Sequence, residues 1–304
     1  MVGILNGSET KSILFYCDEI KGSVNSQTMK EHFLKSLNLL FKNQTNYNQI
    51  YLIITDQANY NLTFVKNLKT SKLFPNLMHI TCLAHCLHRI SDKIRKIYPK
   101  ADNFVKNFKK YFRPVQVQNF YKIKSKLPIP PSYINTRWTT WLKTVKYYYD
   151  NFSKVKKYVN ISDIKQNSYL KTVRKLINSK NFKRELSIIN KYNFLSVYIE
   201  KLENPKLTLK QSFNLIKLTH NFMKDKRILN GLNFSLKRNP DLLKLLNYIK
   251  TDSDLIYAPL VSVDVERSFS VLKYITMNRN NISLNNLRKY VIIKYNKFQS
   301  NDIH

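Results

Sequence analysis

Acidic residues are scarce in this sequence. Over 304 residues, 19 Asp and Glu stand against 52 Lys and Arg, which gives a formal charge of +33 and a pI near 10.0. An excess of that size favours a polyanionic partner, and nucleic acid is the usual one. A second reading stands beside it, because the excess is mostly Lys in a chain also rich in Asn, Ile and Tyr, which is what AT-rich coding sequence produces. Cysteine is scarce as well. Cys17, Cys82 and Cys86 are too few and too unevenly spaced for a disulfide framework, which points to a reducing compartment. No stretch reaches the apolar length of a membrane span, and the first residues lack the charged and apolar halves of a signal peptide. The expectation is a soluble intracellular protein with no membrane partner. Its length allows one large core or two modest ones.

What is present organises around Asn48 to Asn59, reading NQIYLIITDQAN. Ile50 to Thr55 is a continuous apolar and β-branched run too short for a stable helix, so it predicts a strand buried on both faces and ending at Asp56. Before it, Val2 to Leu5 and Ser12 to Cys17 read as two short strands, followed from Ser26 by a helix with Met29, Phe33, Leu37 and Leu40 on one stripe. After it come a helix carrying Leu62, Val65 and Leu68, and a further strand over Leu77 to Thr81. The order β-β-α-β-α-β is that of the ribonuclease H-like fold with its first, central strand removed. The predicted class is therefore α/β (α+β), a ribonuclease H-like core lacking its first strand and interrupted by a large all-α insertion.

The next predicted helix starts near Cys82, with Leu83, Leu87, Ile90, Ile94 and Ile97 as its apolar stripe and His85 roughly opposite. Cys82, His85, Cys86 and His88 invite a zinc reading, but all lie on one helix and no second ligand pair of similar spacing follows. Three prolines between Lys126 and Asn135 mark a loop leading into Arg137 and Trp138. That pair reads either as ordinary packing or as a nucleic-acid surface, since Arg pairs with phosphate and Trp stacks on an unpaired base. From Trp141 to about Lys250 the chain holds very little Gly and reads as helices. Leu186, Ile189, Asn193 and Val197 form one stripe, and Leu209, Phe213, Ile216, His220 and Met223 another, with His220 taken as a core residue. A helix from Ser262 follows, with Val265, Phe269, Leu272 and Thr276 predicted buried and Asp264 and Glu266 in its first turn, where the dipole favours negative charge. The last helix, from Ser283, puts Leu284, Leu287, Val291, Tyr295 and Phe298 on one face. Asp56 itself has two readings: a cap of the helix that follows, or a carboxylate at the carboxyl end of a central strand, where such sheets place their chemistry.

Four phrases, TDQAN around Asp56, FPNLMHITCLAHCLHRI, PPSYINTRWTTWLKTVKYYYDNF and YAPLVSVDVERSFSVLKYI, resemble in order and spacing the transposases of the hAT superfamily, especially the animal transposase-like proteins that carry a BED-type zinc finger. The resemblance spans nearly the whole chain. It implies a first part of the core over 1–100, a linker and α-helical insertion over 101–250, and the end of the core with a dimerisation region over 251–304. The family's catalytic set is Asp, Asp and Glu on divalent metal: Asp56 matches the second Asp and Glu266 the Glu, so these two are the implied catalytic and metal-binding residues. Cys82 and His85 match the family's C-x-x-H motif, Arg137 and Trp138 its DNA-contacting R-W pair, and Phe269, Leu284, Leu287 and Val291 fall in the dimerisation segment. Two-metal phosphoryl transfer needs several carboxylates converging from different elements, with Mg²⁺ or Mn²⁺ as the ion if the site is active and no cofactor otherwise. The first Asp of the set would lie upstream of Met1, and Asp18 and Glu19 end a strand on the wrong side of the sheet. The expectation is a truncated or degenerate, nuclear, DNA-binding and self-associating relative that does not cut. The alternative is an active transposase whose gene model starts late.

Overall fold

The computed structural model describes residues 1–5, 12–42, 46–133, 139–163, 167–239, 241–248, 253–278 and 281–301. Its elements begin with α1 (Ser26–Leu40), β1 (Leu52–Thr55), α2 (Asn59–Thr70), β2 (Met78–Thr81) and α3 (Leu83–Ile97). A helical series follows: α4 (Pro99–Tyr111), α5 (Val115–Ser125), α6 (Thr140–Asp150), α7 (Phe152–Ile161), α8 (Ser168–Ile177), α9 (Phe182–Asn190) and α10 (Phe194–Leu202). It continues through α11 (Leu209–Phe222), α12 (Lys226–Lys237) and α13 (Asp241–Tyr248), and ends with α14 (Val263–Asn278) and α15 (Leu284–Asn301). The fold is mostly helical with a small parallel sheet, an α+β chain. Local chemistry explains the helix starts: Asn25 and Thr28 form a reciprocal capping box ahead of α1, and Pro99 takes the first position of α4, where its missing N–H leaves nothing unpaired.

β1 and β2 run parallel in the register Leu52 to Met78 through Thr55 to Thr81, joined through α2. The expectation of a doubly buried β1 is corrected here. β1 is only part-buried along its length, whereas β2 is buried throughout. Among the described residues β1 has β2 as its one strand neighbour, so its other edge is an outer one. The other edge of β2 is covered by side chains instead of a strand. Asn239 accepts from the Thr81 N–H at 3.2 Å and donates to the Thr81 carbonyl at 3.1 Å, and Asp241 accepts from the His79 N–H at 2.8 Å. Buried backbone groups need such partners, and here two side chains at the start of α13 act as the missing ladder.

The two amino-terminal strands are also corrected. They reduce to one antiparallel bridge, Val2 with Ile13. The physical reason is a competing partner: both backbone groups of Leu14 go to the Asn296 amide, at 3.0 and 2.9 Å. Leu14 packs there in a cluster with Ile275, Val291 and Tyr295.

By packing, the chain divides into two units. The first comprises Met1–Cys86, Leu202–Leu218 and Asn233–His304, and the second Leu87–Lys201 and Thr219–Leu232. The sequence divisions at 100 and 250 fall elsewhere, because the stretch opening α13 is tied to β2 and belongs with the sheet. The first unit holds Leu37, Phe64, Val65, Leu68, Phe74 and Leu77 as a core between α1 and α2. The second is helical around aromatic rings, with Phe104 edge-on to Tyr148 at 5.0 Å and beside Phe182 at 5.1 Å. On α11 the buried positions are Leu209, Ser212, Leu215, Ile216 and Thr219, with Met223 buried just past its end, so His220 is exposed and its assignment to the core is corrected. Val197 is likewise exposed, on α10.

Candidate functional site

Parallel pairing in register brings the carboxyl ends of β1 and β2 to one edge, the side on which open α/β sheets keep their ligands. Asp56 follows β1 there. Its Oδ1 accepts from the Ala58 N–H and from the Asn61 amide, both at 2.9 Å, which shapes the turn into α2. The helix cap is Ala58, so Asp56 stands two residues ahead of the cap position. Its charge also acts on His85. Gln57, beside it, is buried and donates to Thr81 Oγ1 at 3.0 Å and to the Ser235 carbonyl at 2.9 Å, which fixes this turn against β2 and the end of α12.

Cys82 follows β2 in the matching place. It is fully buried; its N–H donates to the Thr55 carbonyl at 2.7 Å and its Sγ accepts from the Ser262 N–H at 3.3 Å. The next residue, Leu83, donates its N–H to the Leu260 carbonyl at 2.9 Å. These two bonds hold the start of α3 against the segment leading into α14, and so place the first turn of α14 beside α3. Glu266 on that turn lies with Oε1 3.5 Å from His85 Nε2. His85 sits one turn into α3, off its apolar stripe as the periodicity predicts, with 24% of its side chain exposed.

The electrostatics bind this group together. Burial alone would lower the pKa of His85, but the hydrogen bond with Cys82 and the charges of Cys82, Glu266 and Asp56 outweigh it and raise the imidazole above its ordinary value. Burial would raise the Cys82 thiol, and its hydrogen bonds with His85 and Ser262 reverse that and lower it. Both shifts come from the pairing of Cys82 with His85, with the Glu266 and Asp56 carboxylates acting on the same ring.

No family model, curated protein or solved structure matches the chain. Chemistry at this edge is therefore read from the side chains themselves.

Other sequence-flagged residues have different employment. Asp264 accepts from Ser12 and from Arg267, the latter at 3.0 Å, so it anchors the start of α14. Asp18 is far from free. Lys35 donates to it at 2.9 Å and Tyr16 at 3.0 Å, the Glu19 N–H reaches it at 2.9 Å, and Arg288 also pairs with it. The hydrogen bond from Lys35 leads in holding its carboxyl well below the usual range, with Tyr16, Glu19 and Arg288 adding to it. His88 lies 3.6 Å from Asp92 on its own helix, away from the His85 pairing, and no group of three or more His, Cys, Asp or Glu suited to a metal occurs among the described residues.

Arg137 and Trp138 lie outside the described residues. On one side of them, Tyr133 is buried, stacked near Arg95 at 5.6 Å and Lys109 at 5.8 Å. On the other, Thr139 has φ +52°, a left-handed conformation that a β-branched residue adopts only at a cost. The assumed dimerisation face is corrected in part. Val291 is buried and Leu287 packs against the same cluster, so both are used inside the chain, whereas Phe269 and Leu284 are exposed. Spacing puts Val265, Phe269, Leu272 and Thr276 on the buried side of α14, whereas Val265, Phe269 and Thr276 are exposed and the buried positions are Ser268 and Ile275.

Sequence reasoning missed the roles of Gln57, Asn239, Asp241 and Asn296. Each acts on a backbone segment remote in sequence, and nothing local in their spacing marks that.

Proposed function

We propose that this chain is a hAT transposase-derived protein that binds DNA and associates with a second copy, without a complete cleavage site. One observation carries the binding half: the uneven distribution of charge. The helical unit has 30 Lys and Arg against 7 Asp and Glu, while the sheet-containing unit, which is longer, has 22 against 12. Compositional drift would spread lysine evenly. Concentration on one unit is what a phosphate-binding surface requires.

The catalytic half rests on Asp56 and Glu266. Their carboxylates are hard oxygen donors suited to Mg²⁺ or Mn²⁺, which if bound would polarise a phosphoryl oxygen and an attacking water. The donor set does not fit a two-metal site, since the nearest further groups are a histidine and a buried thiol engaged with each other, and Asp18 is consumed by Lys35 and Arg288. Self-association is assigned to the exposed part of the α14 and α15 pair, Phe269 and Leu284. Nuclear location follows from a DNA partner.

The test is a nicking assay on hairpin and linear DNA with Mg²⁺ or Mn²⁺, run beside a binding measurement, with Asp56→Asn as control. Binding without cleavage is the expected result. Cleavage by the parent chain that disappears in the control would establish the active transposase reading instead.

A further inference from the structure

The helical unit carries a concavity of about 420 Å³ lined by Tyr98, Tyr192, Phe222, Lys191, Lys224 and Lys226, together with Asp225 and Ile188. Its size falls in the range of about 300–1,000 Å³ typical of small-molecule sites. Phe222, the last residue of α11, is 54% exposed, more than half of a large apolar ring left in water. It is also braced: Phe194 lies 5.5 Å away ring to ring, and Tyr198 continues the row at 5.3 Å from Phe194. A ring that is both exposed and held in place is suited to stacking a flat partner, because little side-chain freedom is lost when the partner arrives.

Charge selects the kind of partner. Lys191, Lys224 and Lys226 are exposed, and no described acidic group pairs with any of them. The one carboxylate in the lining is already committed: Asp225 takes Arg227 Nη2 at 2.6 Å, Arg227 Nε at 3.1 Å and the Arg227 N–H at 2.8 Å, and these bonds, the Arg227 side chain first, hold its carboxyl down at about 2. Tyr98 and Tyr192 are held above their ordinary values, by burial first and by the nearby Asp225 charge among the rest, so both phenols keep their protons as hydrogen-bond donors. Aromatic faces, phenol donors and unpaired ammonium groups in one concavity match a nucleotide: a base to stack, edges to hydrogen-bond, a phosphate on either side.

We propose that this concavity takes an unpaired nucleotide of a DNA strand, with the base on Phe222 and the flanking phosphates on Lys191, Lys224 and Lys226. The inference rests on the reading of the chain as a DNA-binding protein and adds a preference for unpaired over duplex DNA. A duplex keeps its bases stacked on one another and can use only the lysines.

The experiment measures binding of the full chain to a fluorescent oligo-dT strand and to a blunt duplex of equal length, for the parent, Phe222→Ala and Tyr98→Phe, each checked for native helicity by circular dichroism. Loss of one stacked base predicts a weakening of roughly 5- to 100-fold on the single strand for Phe222→Ala, with duplex binding within about twofold of the parent. Tyr98→Phe keeps the ring and loses one donor, so it weakens the single strand by a smaller factor. Equal binding of both DNAs by Phe222→Ala and parent would overturn this inference and leave the DNA-binding reading standing. Equal weakening on both DNAs would also overturn it, since that marks general charge or folding. A parent chain that binds neither DNA would overturn both.

Discussion

The two packed units use polar residues in opposite ways. In the sheet-containing unit, acidic and amide side chains are turned inward onto the chain's own backbone and cations: Asp18 on Lys35 and Arg288, Asp241 on Lys69 and the His79 N–H, Asn239 on Thr81, Asn296 on Leu14. In the helical unit the interior is closed by aromatic rings, and lysine and arginine together occur at nearly twice the density found in the other unit. Tyr111 and Tyr158 share a hydrogen bond at 2.9 Å, and Tyr121 and Tyr147 another at 2.6 Å, so these phenols satisfy one another. One unit therefore depends on polar pairing to define a small sheet and its edge, and the other holds its shape through apolar packing while its surface stays free to meet a polyanion.

The largest effect expected from that contrast is in the aromatic core. Phe104 is fully buried among Phe108, Tyr148 and Phe182. Phe104→Ala should cost about 3–5 kcal/mol through lost transfer energy and the cavity left behind. Urea unfolding measures it, and a loss under about 1 kcal/mol would mean that the rings do not carry the unit.

A second effect belongs to the sheet. His79 on β2 is buried, with Thr55 Oγ1 2.9 Å from its Nε2, and burial, helped by Lys69 and opposed by Asp241, pulls its pKa down to about 4. A folded pKa below the unfolded value near 6.5 means that the unfolded chain takes up a proton first as pH falls. Stability is therefore full above about pH 6.5 and declines between there and about 4, by about 3 kcal/mol in total. His79→Gln should flatten that decline in unfolding measured across this window; an unchanged decline would assign it to other groups.

Legibility in the sequence followed range. The α1 helix, the existence of a strand on either side of α2, and the position of His85 off the stripe of α3 are readable from local sequence, because each depends on near neighbours in the chain. That Asp56 and Cys82 follow strands ending at one edge depends on the order of elements, whereas the approach of Glu266 to His85 depends on the bonds of Leu83 to Leu260 and of Ser262 to Cys82, which no local spacing marks. The failures are instructive in the same terms. Ser12 to Cys17 has a strand's composition, yet Asn296, far along the chain, takes the backbone of Leu14. Phe269 and Val265 have helical spacing for a core, yet the buried face of α14 runs through Ser268 and Ile275, because α15 and Leu14 approach from that side. His220 lies on a spacing shared with Ile216 and Met223, but Thr219 takes the buried place.

The most direct test of the central claim compares the two units on DNA. Lys122, Lys154, Lys157 and Lys171 are exposed in the helical unit, and Lys21, Lys42, Lys66 and Lys72 in the other. Each set is changed to Gln, and duplex affinity is measured against salt concentration for both variants and the parent. The account predicts a steep parent dependence and, in the helical-unit variant alone, a slope reduced by roughly 0.9 for every phosphate contact removed. Equal reductions from the two sets, or a parent affinity that salt does not change, would contradict it.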